Sequence, residues 1–456
     1  GFLAWVALVP LLWAVLNSPD AKSAANLAGF SGLIFYGISL HWLVRVFGPA
    51  AFAFWCIFAL WMALHSALLW LSWNRCDLWG EKFKELLWPL SAGIIWCGLE
   101  YFRSEVWWLE CSWLALGYSQ TSAPALFQFC SISGIYGLSA VIVAANSSFV
   151  LLFKRRRIPA AITAAMLLLL PLWGKHRIKT FPIRQGKKLS VALVQEETYT
   201  LKRLSSLSLE EEAKEADLLV WPEYSFFVPY GREDIYLKLL KKELRGTKST
   251  AVIGSATLPD ELKKNKLRNF AWVISKDGDS LGRYDKLHPI PYVEKHLFRK
   301  SKSLAPNHSP APVDSHLGKL GIQICYDLDF EDGTRRMARQ NAGILVVPNL
   351  DPLEWGKWQH LQHSGMSTAR AVESGLWLAR AASSGSSQII DPLGRVIASL
   401  PVGYSGVLTG TAYMLKPGTF YSAWGWLFAP ACLFFTLLVL VLPSARKFRD
   451  SCLPTH

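Results

Sequence analysis

Residues Lys319 to Phe330 read KLGIQICYDLDF, and this stretch decides the fold of the block around it. Mostly apolar residues lead to one cysteine, Cys325, after which the chain turns polar. A buried strand that ends in Cys-Tyr-Asp presents a thiol at a strand tip, where α/β folds keep their chemistry. Cys325 is also the only cysteine between Lys175 and Tyr421, so that block holds no disulfide. Taken alone, Cys325 is either a buried hydrophobe or a reactive thiol.

The composition indicates a polytopic membrane protein with one soluble domain. The chain has 456 residues, of which 51% are hydrophobic and 18% charged, whereas a soluble domain has roughly 25% charged residues. The net charge of +14 does not indicate a nucleic-acid partner, because the basic residues lie largely in short clusters beside apolar runs, as in membrane proteins. The eight cysteines form no CxxC pair and no zinc spacing. We therefore expect no cysteine zinc site and no disulfide framework.

Apolar runs long enough to approach a bilayer crossing occur seven times, and basic loops follow the third, fifth and seventh of them. These loops alternate correctly as cytoplasmic loops, which places the polar block on the non-cytoplasmic face of a multi-pass membrane protein. Gly1 opens directly into an apolar run without an initiator Met, so we expect that the first span is missing. The predicted runs are Phe2–Leu16, Leu27–Phe47, Ala51–Trp73, Leu86–Phe102, Pro124–Phe153, Ile158–Trp173 and Ala423–Leu442.

The expected domains are transmembrane helices over residues 1–174, a soluble domain over 175–421, and a last span with a cytoplasmic tail over 422–456. Short β-rich runs alternate with helical patterns in the soluble domain, which predicts an α/β fold with a buried sheet. Its predicted strands include LLVWPE, which ends at Glu223, and KLGIQIC, which ends at Cys325.

Three chemically active residues, Glu223, Lys286 and Cys325, each lie at or just past the end of a strand-like run. If these ends meet, the chemistry is acyl transfer through a thioester. A carboxylate can take the thiol proton, and an ammonium can stabilise the thiolate and then the oxyanion on the attacked carbonyl. The backbone N–H of Tyr326 is the natural second oxyanion donor, and such a donor is worth about 3 kcal/mol.

Each residue also has a plainer interpretation. Glu223 after Trp-Pro could be only a turn residue, and Lys286 in a lysine-rich stretch could be solvated surface. His288 and His296 could suggest a metal, but no third ligand has convincing spacing. The joint occurrence of the three residues, rather than any one of them, favours a catalytic site.

The same residues resemble the nitrilase superfamily. WPE at Trp221–Glu223, YDKLHPIPYVE at Tyr284–Glu294 and ICYD at Ile324–Asp327 match its Glu-Lys-Cys set. The flanking spans narrow the resemblance to its membrane-embedded branch, the apolipoprotein N-acyltransferase family. Further matches are FLAWVALVPLLW near the start, WLALGYSQ at Trp113–Gln120, WQHLQ at Trp358–Gln362 and the segment ARAVESGLWLARAASSG.

The resemblance implies an αββα sandwich and a two-step reaction without a cofactor. Cys325 would take an acyl chain from a phospholipid and pass it to the α-amine of diacylglyceryl-cysteine in an apolipoprotein. Glu223 would be the base and Lys286 would stabilise the oxyanion. Glu294 would orient this group or support loop packing, although it could instead pair with Lys295 or Arg299. We expect a monomer in the lipid bilayer.

The sequence departs from the family pattern around the expected substrate site. Asp327 stands where the family usually has Glu, VQEE replaces an opening VQGN, Thr198–Ser205 lacks a Trp, and Tyr224–Phe227 replace a small residue followed by Ala-Ile-Pro. These departures put substrate preference and rate in question, but not the thioester chemistry. The expected substrate-binding residues are Trp113, Tyr118, Asp327, Asn349 and Trp355; Trp113 and Tyr118 could equally be interfacial belt residues.

Two alternatives stay open at this point. The chain could be a membrane-tethered amidase, or an acyltransferase for another amine. It could also be a non-catalytic lipid-binding relative that keeps the fold. A transporter fits less well, because the spans carry few charged residues and show no inverted repeat.

Overall fold

The structure is a computed structural model that describes residues 1–75, 81–198, 200–258, 268–290, 294 and 311–441. The chain divides into two compact units. A helical unit contains residues 1–179 and 424–456, and a soluble unit contains residues 180–423. The sequence-based boundaries at 175 and 421 lie close to these limits. The predicted cytoplasmic tail falls outside the described residues.

The helical unit consists of apolar helices joined by short connections. Three of its described helical segments are long and apolar enough to cross a membrane, namely residues 43–74, 130–153 and 157–180, and shorter apolar segments cover residues 2–16 and 425–440. The helices are α1 Val9–Leu16, α2 Ala21–Ser39, α3 Leu43–Phe47, α4 Ala51–Arg75, α5 Glu81–Tyr101, α6 Pro124–Phe127, α7 Cys130–Phe153, α8 Arg157–Thr180 and, at the far end of the chain, α15 Phe428–Val441.

Several of the predicted apolar runs, among them residues 27–47 and 124–153, are not single α-helices. The run over residues 27–47 is divided near Leu40, between α2 and α3. The run over residues 124–153 is divided between α6 and α7, and α7 itself is interrupted at Gly134, whose φ of 69° and ψ of −176° are not helical. Apolar composition therefore located the helices but not these breaks. The total of seven spans stays a prediction.

The soluble unit contains two six-stranded sheets. The first sheet has the strand order β12-β1-β2-β3-β4-β5 and the second has the order β11-β10-β9-β8-β7-β6. In each sheet the three central strands are parallel. The strands are β1 Lys187–Gln195, β2 Leu218–Pro229, β3 Thr250–Leu258, β4 Arg268–Ile274, β5 Ser280–Asp285, β6 Val313–Ser315, β7 Gly318–Ile322, β8 Ile344–Asn349, β9 Leu378–Ala382, β10 Gln388–Ile390, β11 Val396–Ser399 and β12 Gly406–Met414.

The two sheets pack face to face, and helices cover their outer faces. Alternate residues of one strand point to opposite faces: Val191 packs into the core between the sheets, whereas Ala192 packs against the helices outside. This explains why the central strands are apolar without alternation. The helices of the unit are α9 Leu201–Ser208, α10 Glu211–Lys214, α11 Glu233–Glu243, α12 Glu331–Arg339, α13 Lys357–Ser374 and α14 Phe420–Ala423. The expected combination of apolar helices with an α/β sandwich is confirmed.

Two strand ends differ from the sequence-based prediction. Glu223 does not end its strand, because β2 continues to Pro229 through an irregularity in its pairing with β3 between Trp221 and Phe226. The strand before Cys325 is shorter than predicted and ends at Ile322. The chain then reaches the cysteine through two further residues and enters a 3-10 turn, Cys325–Asp329.

Candidate active site

The base candidate Glu223 lies at a bulge inside β2 rather than at a strand tip. Pairing with β3 shifts register there, and the next residue, Tyr224, has a φ of +57°. Gly254 on the neighbouring strand makes the bulge possible, because a Cβ on Gly254 would lie 2.1 Å from the carbonyl oxygen of Pro222 and 2.6 Å from the Cα of Glu223. Bulges commonly re-aim a side chain beside an active site. Here the bulge turns the Glu223 carboxylate into a site where it is 1% exposed.

Lys286 joins two carboxylates in that buried site. It follows the last residue of β5 directly, and its Nζ donates to Glu223 Oε1 and to Glu294 Oε2, each at 2.8 Å. The Lys286 side chain is 2% exposed, so the interpretation as solvated surface does not hold. A buried ammonium requires paired charge, and these two carboxylates provide it.

Glu294 is fixed by partners besides Lys286. Its Oε1 accepts from the Tyr224 hydroxyl at 2.6 Å, and its Oε2 accepts from the backbone N–H of Ile290 at 2.7 Å. The side-chain amide of Asn269 donates to both Glu223 Oε1, at 2.5 Å, and Glu294 Oε1, at 3.2 Å. The alternative partners Lys295 and Arg299 lie outside the described residues.

The thiol of Cys325 lies on the same site from the other sheet. Cys325 is 2% exposed and has a φ of +48°, a left-handed conformation that is uncommon for a residue with a side chain. Its Sγ donates to the carbonyl oxygen of Leu350 at 3.6 Å, while the N–H of Leu350 donates to Glu223 Oε2 at 3.1 Å. A single residue, Leu350, therefore links the thiol with the carboxylate through its backbone.

The electrostatics of the site favour a resting thiol beside a proton acceptor. Burial, followed by the negative charge of Glu223, raises the pKa of Cys325 well above its usual value, and Lys286 only partly opposes this. Burial also raises the pKa of Glu223. Burial alone would lower the pKa of Lys286, but Glu223 and Glu294 outweigh it and raise that pKa. The lysine is therefore positively charged, and thiolate formation requires a base.

Asp327 ties the cysteine turn to the chain that carries Lys286. It is fully buried, and its Oδ1 accepts from the N–H groups of Leu287, at 3.0 Å, and His288, at 2.7 Å. Its Oδ2 accepts from the hydroxyl of Tyr284 at 3.0 Å and from the N–H of Ile324 at 3.1 Å. Both carboxylate oxygens of Asp327 therefore accept hydrogen bonds from neighbouring segments of the soluble unit, and its contact with substrate stays a prediction.

The other predicted site residues of the soluble unit are Tyr326, Asn349 and Trp355. Tyr326 follows the cysteine and packs its ring against Phe330, with ring centroids 5.1 Å apart. Asn349, at the end of β8, is fully buried, and neither polar atom of its side chain has a hydrogen-bond partner among the described residues. Trp355 is half-buried in a short 3-10 helix that begins at Leu353.

Trp113 and Tyr118 belong to the helical unit. Trp113 is largely buried and packs against Trp42, with ring centroids 4.7 Å apart. Tyr118 is half-buried in the 3-10 helix Leu116–Gln120. Burial against another tryptophan describes a packed aromatic rather than a fully exposed belt residue, and the lipid contact of both residues stays a prediction.

Across the described part of the chain, no group of three or more His, Cys, Asp or Glu side chains is arranged to hold a metal ion. The Nδ1 of His288 lies 3.3 Å from Asp327 Oδ1, which gives this imidazole a structural partner. His296 lies outside the described residues.

Three contributors to the site were missed by sequence reasoning, namely Asn269, the hydroxyl of Tyr224 and the backbone of Leu350. A polar Asn at the start of an apolar strand was a usable signal for the first. Tyr224 was noticed only as a departure from the family pattern. Nothing in the sequence indicates that the backbone of Leu350 contacts both the thiol and the carboxylate.

Comparison with known proteins gives the family. A family model described as carbon-nitrogen hydrolase matches residues 184–413, and one described as apolipoprotein N-acyltransferase N-terminal domain matches residues 1–148. An apolipoprotein N-acyltransferase of Geobacter metallireducens is 30% identical to this chain, over 98% of this chain and 91% of the relative. The chain belongs to the apolipoprotein N-acyltransferase family. A second member, from Rhodopseudomonas palustris, is 28% identical over 98% of this chain and 92% of its own.

Among the solved structures similar to this member of the apolipoprotein N-acyltransferase family is a carbon-nitrogen hydrolase. A crystal structure of a carbon-nitrogen hydrolase from Helicobacter pylori superposes with a TM-score of 0.42 at 17% identity, covering 59% of this chain and 100% of that chain. The two family-model matches fall on different parts of the chain, one beginning at residue 1 and the other at residue 184. The nitrilase-like class of the α/β domain rests on the match over residues 184–413 and on the two sheets described above.

Proposed function

We propose that this chain transfers a fatty acyl group from a phospholipid to the N-terminal α-amine of diacylglyceryl-cysteine in apolipoproteins, through a thioester on Cys325. The observation that carries the proposal is one buried ammonium, Lys286, shared between the carboxylates of Glu223 and Glu294. Leu350 connects Glu223 with the thiol through its backbone. Membership of the family supplies the substrate class.

The first half-reaction begins with proton transfer from Cys325 Sγ to the carboxylate of Glu223. The thiolate attacks the ester carbonyl carbon of the phospholipid, and the Lys286 ammonium stabilises the oxyanion that forms. Collapse of the tetrahedral species breaks the ester C–O bond. The departing alkoxide takes the proton from Glu223 and leaves as a lysophospholipid, and the acyl group remains on sulfur.

The second half-reaction uses the same groups. The acceptor amine attacks the thioester carbonyl, Lys286 again stabilises the oxyanion, and Glu223 takes a proton from the amine. The C–S bond breaks, and the proton on Glu223 passes to the departing thiolate of Cys325. The products are an amide on the lipoprotein and the original thiol, so protons balance over the cycle.

The remaining roles and the location are part of the same proposal. Glu294 keeps Lys286 charged and oriented, and the N–H of Tyr326 is a second oxyanion donor. The chain is a multi-pass inner-membrane protein, a monomer, with the soluble unit on the periplasmic side. Clusters of basic residues beside the apolar runs support this orientation.

The test is incubation of the purified protein with a phospholipid labelled in its acyl chain, followed by a diacylglyceryl lipopeptide. We expect a labelled acyl group on Cys325 by mass spectrometry, and then label on the peptide amine. The Cys325→Ala variant should trap no acyl-enzyme. Hydrolysis of small amides without lipopeptide labelling would overturn the proposal in favour of an amidase. Absence of any acyl-enzyme in the wild type would overturn it in favour of a non-catalytic lipid-binding protein.

A further inference from the structure

A second set of buried charges lies next to the centre described above and takes no part in the proposed chemistry. Asp351 is fully buried, and its Oδ2 accepts from the guanidinium of Arg380 at 2.5 Å. Its Oδ1 lies 2.7 Å from Nδ1 of His363 and accepts from the side-chain amide of Gln359 at 3.2 Å. Two cationic side chains on one buried carboxylate are costly to assemble, so the arrangement needs an explanation.

Asp351 directly follows the residue that contacts both the nucleophile and the base. The peptide bond between Leu350 and Asp351 is planar, so its C=O and N–H point in opposite directions. The N–H of Asp351 donates to the Ser383 hydroxyl at 3.0 Å. With that end fixed, the Leu350 carbonyl is aimed at Cys325 Sγ.

The network also reaches the turn that contains the nucleophile. His363 Nε2 lies 3.5 Å from Oδ1 of Asp329, the last residue of the turn that starts at Cys325. Burial alone would lower the pKa of His363, but the carboxylates of Asp351 and Asp329 raise it to about 9. The imidazole is therefore positively charged near neutral pH. His363 therefore lies between the loop after β8 and the turn after β7.

We propose that Asp351 is a positioning residue for the acyl transfer. The Asp351–Arg380–His363 network holds the backbone of Leu350 where its carbonyl orients the Cys325 thiol and its N–H supports the Glu223 carboxylate. This inference rests on the proposed function for its substrate, but the geometry of the thiol can be tested without that substrate.

Gly385 gives a way to disturb the network without removing a charge. A Cβ on Gly385 would lie 2.3 Å from Asp351 Oδ2 and 2.8 Å from its Cβ. Real side chains essentially never approach so closely, so in Gly385→Ala the Asp351 side chain must shift. This variant complements Asp351→Asn, which keeps the shape but removes the charge.

The matched control is Asp391→Asn. Asp391 is also fully buried and paired with an arginine, Arg395, at 2.6 Å. It lies in the turn between β10 and β11 and accepts from the N–H groups of Leu393 and Arg395, both at 2.9 Å. It does not adjoin Leu350 in sequence, so its loss should cost stability without touching the thiol.

The experiment measures three quantities on the full-length protein in detergent: the melting temperature, the rate of thioester formation from a phosphatidylethanolamine with a labelled acyl chain, and the rate of Cys325 alkylation by iodoacetamide. Both rates are followed against pH. In Asp351→Asn and Gly385→Ala we expect thioester formation to fall by about tenfold to a hundredfold, as expected for misplaced reacting groups. The acidic limb of the pH–rate profile should also move up by about one pH unit, because the Glu223 carboxylate loses the hydrogen bond from the Leu350 N–H, which stabilises its charged form.

The outcomes separate positioning from general stability. Asp391→Asn should lower the melting temperature with both pH profiles unmoved. Suppose instead that Asp351→Asn and Gly385→Ala lower both rates only in proportion to their folded fraction, and that the acidic limbs of the pH–rate profiles do not move. The positioning role is then overturned. If the wild type forms no thioester, the proposed function fails, and a changed alkylation profile in the two variants would still support the positioning of the thiol.

Discussion

The positive charge of Lys286 offsets part of the negative charge that is buried in the site. With Cys325 as a thiol, one ammonium faces the two carboxylates of Glu223 and Glu294. In the proposed mechanism the sulfur gives its proton to Glu223, so negative charge moves from carboxylate to sulfur and the total stays the same. No additional charge has to be desolvated at that step. Desolvation of a new charge would otherwise be a large free-energy cost in a buried site. The lysine can then interact with the oxyanion that follows.

The two carboxylates should respond differently to removal of their charge. Glu223→Gln removes the proton acceptor, and we expect thioester formation to fall by about 10²–10⁴-fold. Glu294→Gln leaves the base in place but weakens the anchoring of Lys286, and we expect a smaller loss, about tenfold to a hundredfold. Single-turnover acylation followed by mass spectrometry of Cys325 measures both.

An equal loss in Glu223→Gln and Glu294→Gln would contradict distinct roles for the two carboxylates. Tyr224→Phe provides the milder comparison, since it removes only the hydroxyl that donates to Glu294. We expect Tyr224→Phe to lower the rate of thioester formation as Glu294→Gln does, but by a smaller factor.

The pH dependence of the first half-reaction follows from the same residues. Glu223 must be ionised to act as base, and burial raises its pKa above the usual 4.5, so the acidic limb should lie above pH 4.5. The pKa of Lys286 is raised above 10.5, so the lysine should cause no alkaline loss through pH 9. Thioester formation, measured before amine is added, should therefore rise from acid to a plateau. A rate that keeps climbing near pH 9, as a free thiol with the usual pKa of 9.0 would give, contradicts this account.

At the level of secondary structure, the bulge in β2 decides where the Glu223 carboxylate points. The strand keeps its pairing with β3 on both sides of the irregularity, so the sheet remains continuous while one segment departs from it. The left-handed conformation of Tyr224 completes the departure. Such residues persist only where the surrounding structure holds them, and they are concentrated at functional sites.

Substitution of Gly254 tests the bulge directly. In Gly254→Ala the new Cβ would lie 2.1 Å from the carbonyl oxygen of Pro222, so the β2 backbone or Gly254 itself must move. We expect at least a tenfold loss of thioester formation, because the general base would be misplaced. Gly365→Ala in α13 is the control, since its Cβ would meet nothing within 4 Å. It should keep full activity, and a comparable loss in both variants would argue against the bulge.

The sequence predicted the class of the soluble unit because its central strands are apolar on both faces. Runs such as Leu218–Trp221 read as strands whichever sheet they join. The pairing order was not predictable, since it depends on contacts far apart in the chain. β1, for example, pairs with β12 along nine residues, from Lys187 with Met414 to Gln195 with Gly406.

The candidate site, too, could be predicted from the sequence only in part. Glu223, Lys286 and Cys325 could be nominated because charged or reactive residues beside apolar strands are exceptional. The contacts that connect them could not, because they involve the backbone of Leu350 and a bulge that depends on Gly254. Backbone geometry of this kind leaves little trace in residue type.

At the level of the whole chain, the soluble unit is inserted between two parts of the helical unit, which resumes at Trp424. The distribution of basic residues predicts which parts are cytoplasmic. Lys154, Arg155 and Arg156 lie between α7 and α8, whereas the soluble unit begins just after α8. A periplasmic soluble unit requires α8 to cross the membrane between them.

Reporter fusions test this arrangement. Alkaline phosphatase, which is active only outside the cytoplasm, should be active when fused after Lys416 and inactive when fused after Arg155. A green fluorescent protein reporter should give the opposite pattern at the same two positions. Phosphatase activity at both positions, or at Arg155 alone, would contradict the predicted orientation.

The soluble unit contains one sulfhydryl, and it is nearly inaccessible to solvent. No internal crosslink can form there at any redox poise, so the sandwich must keep its shape through packing alone. In the proposed orientation the soluble unit faces the oxidising periplasm, where the lack of a second thiol is a benefit. Cys325 could then be oxidised only by pairing with a thiol from outside the unit or by direct oxidation, and burial opposes both.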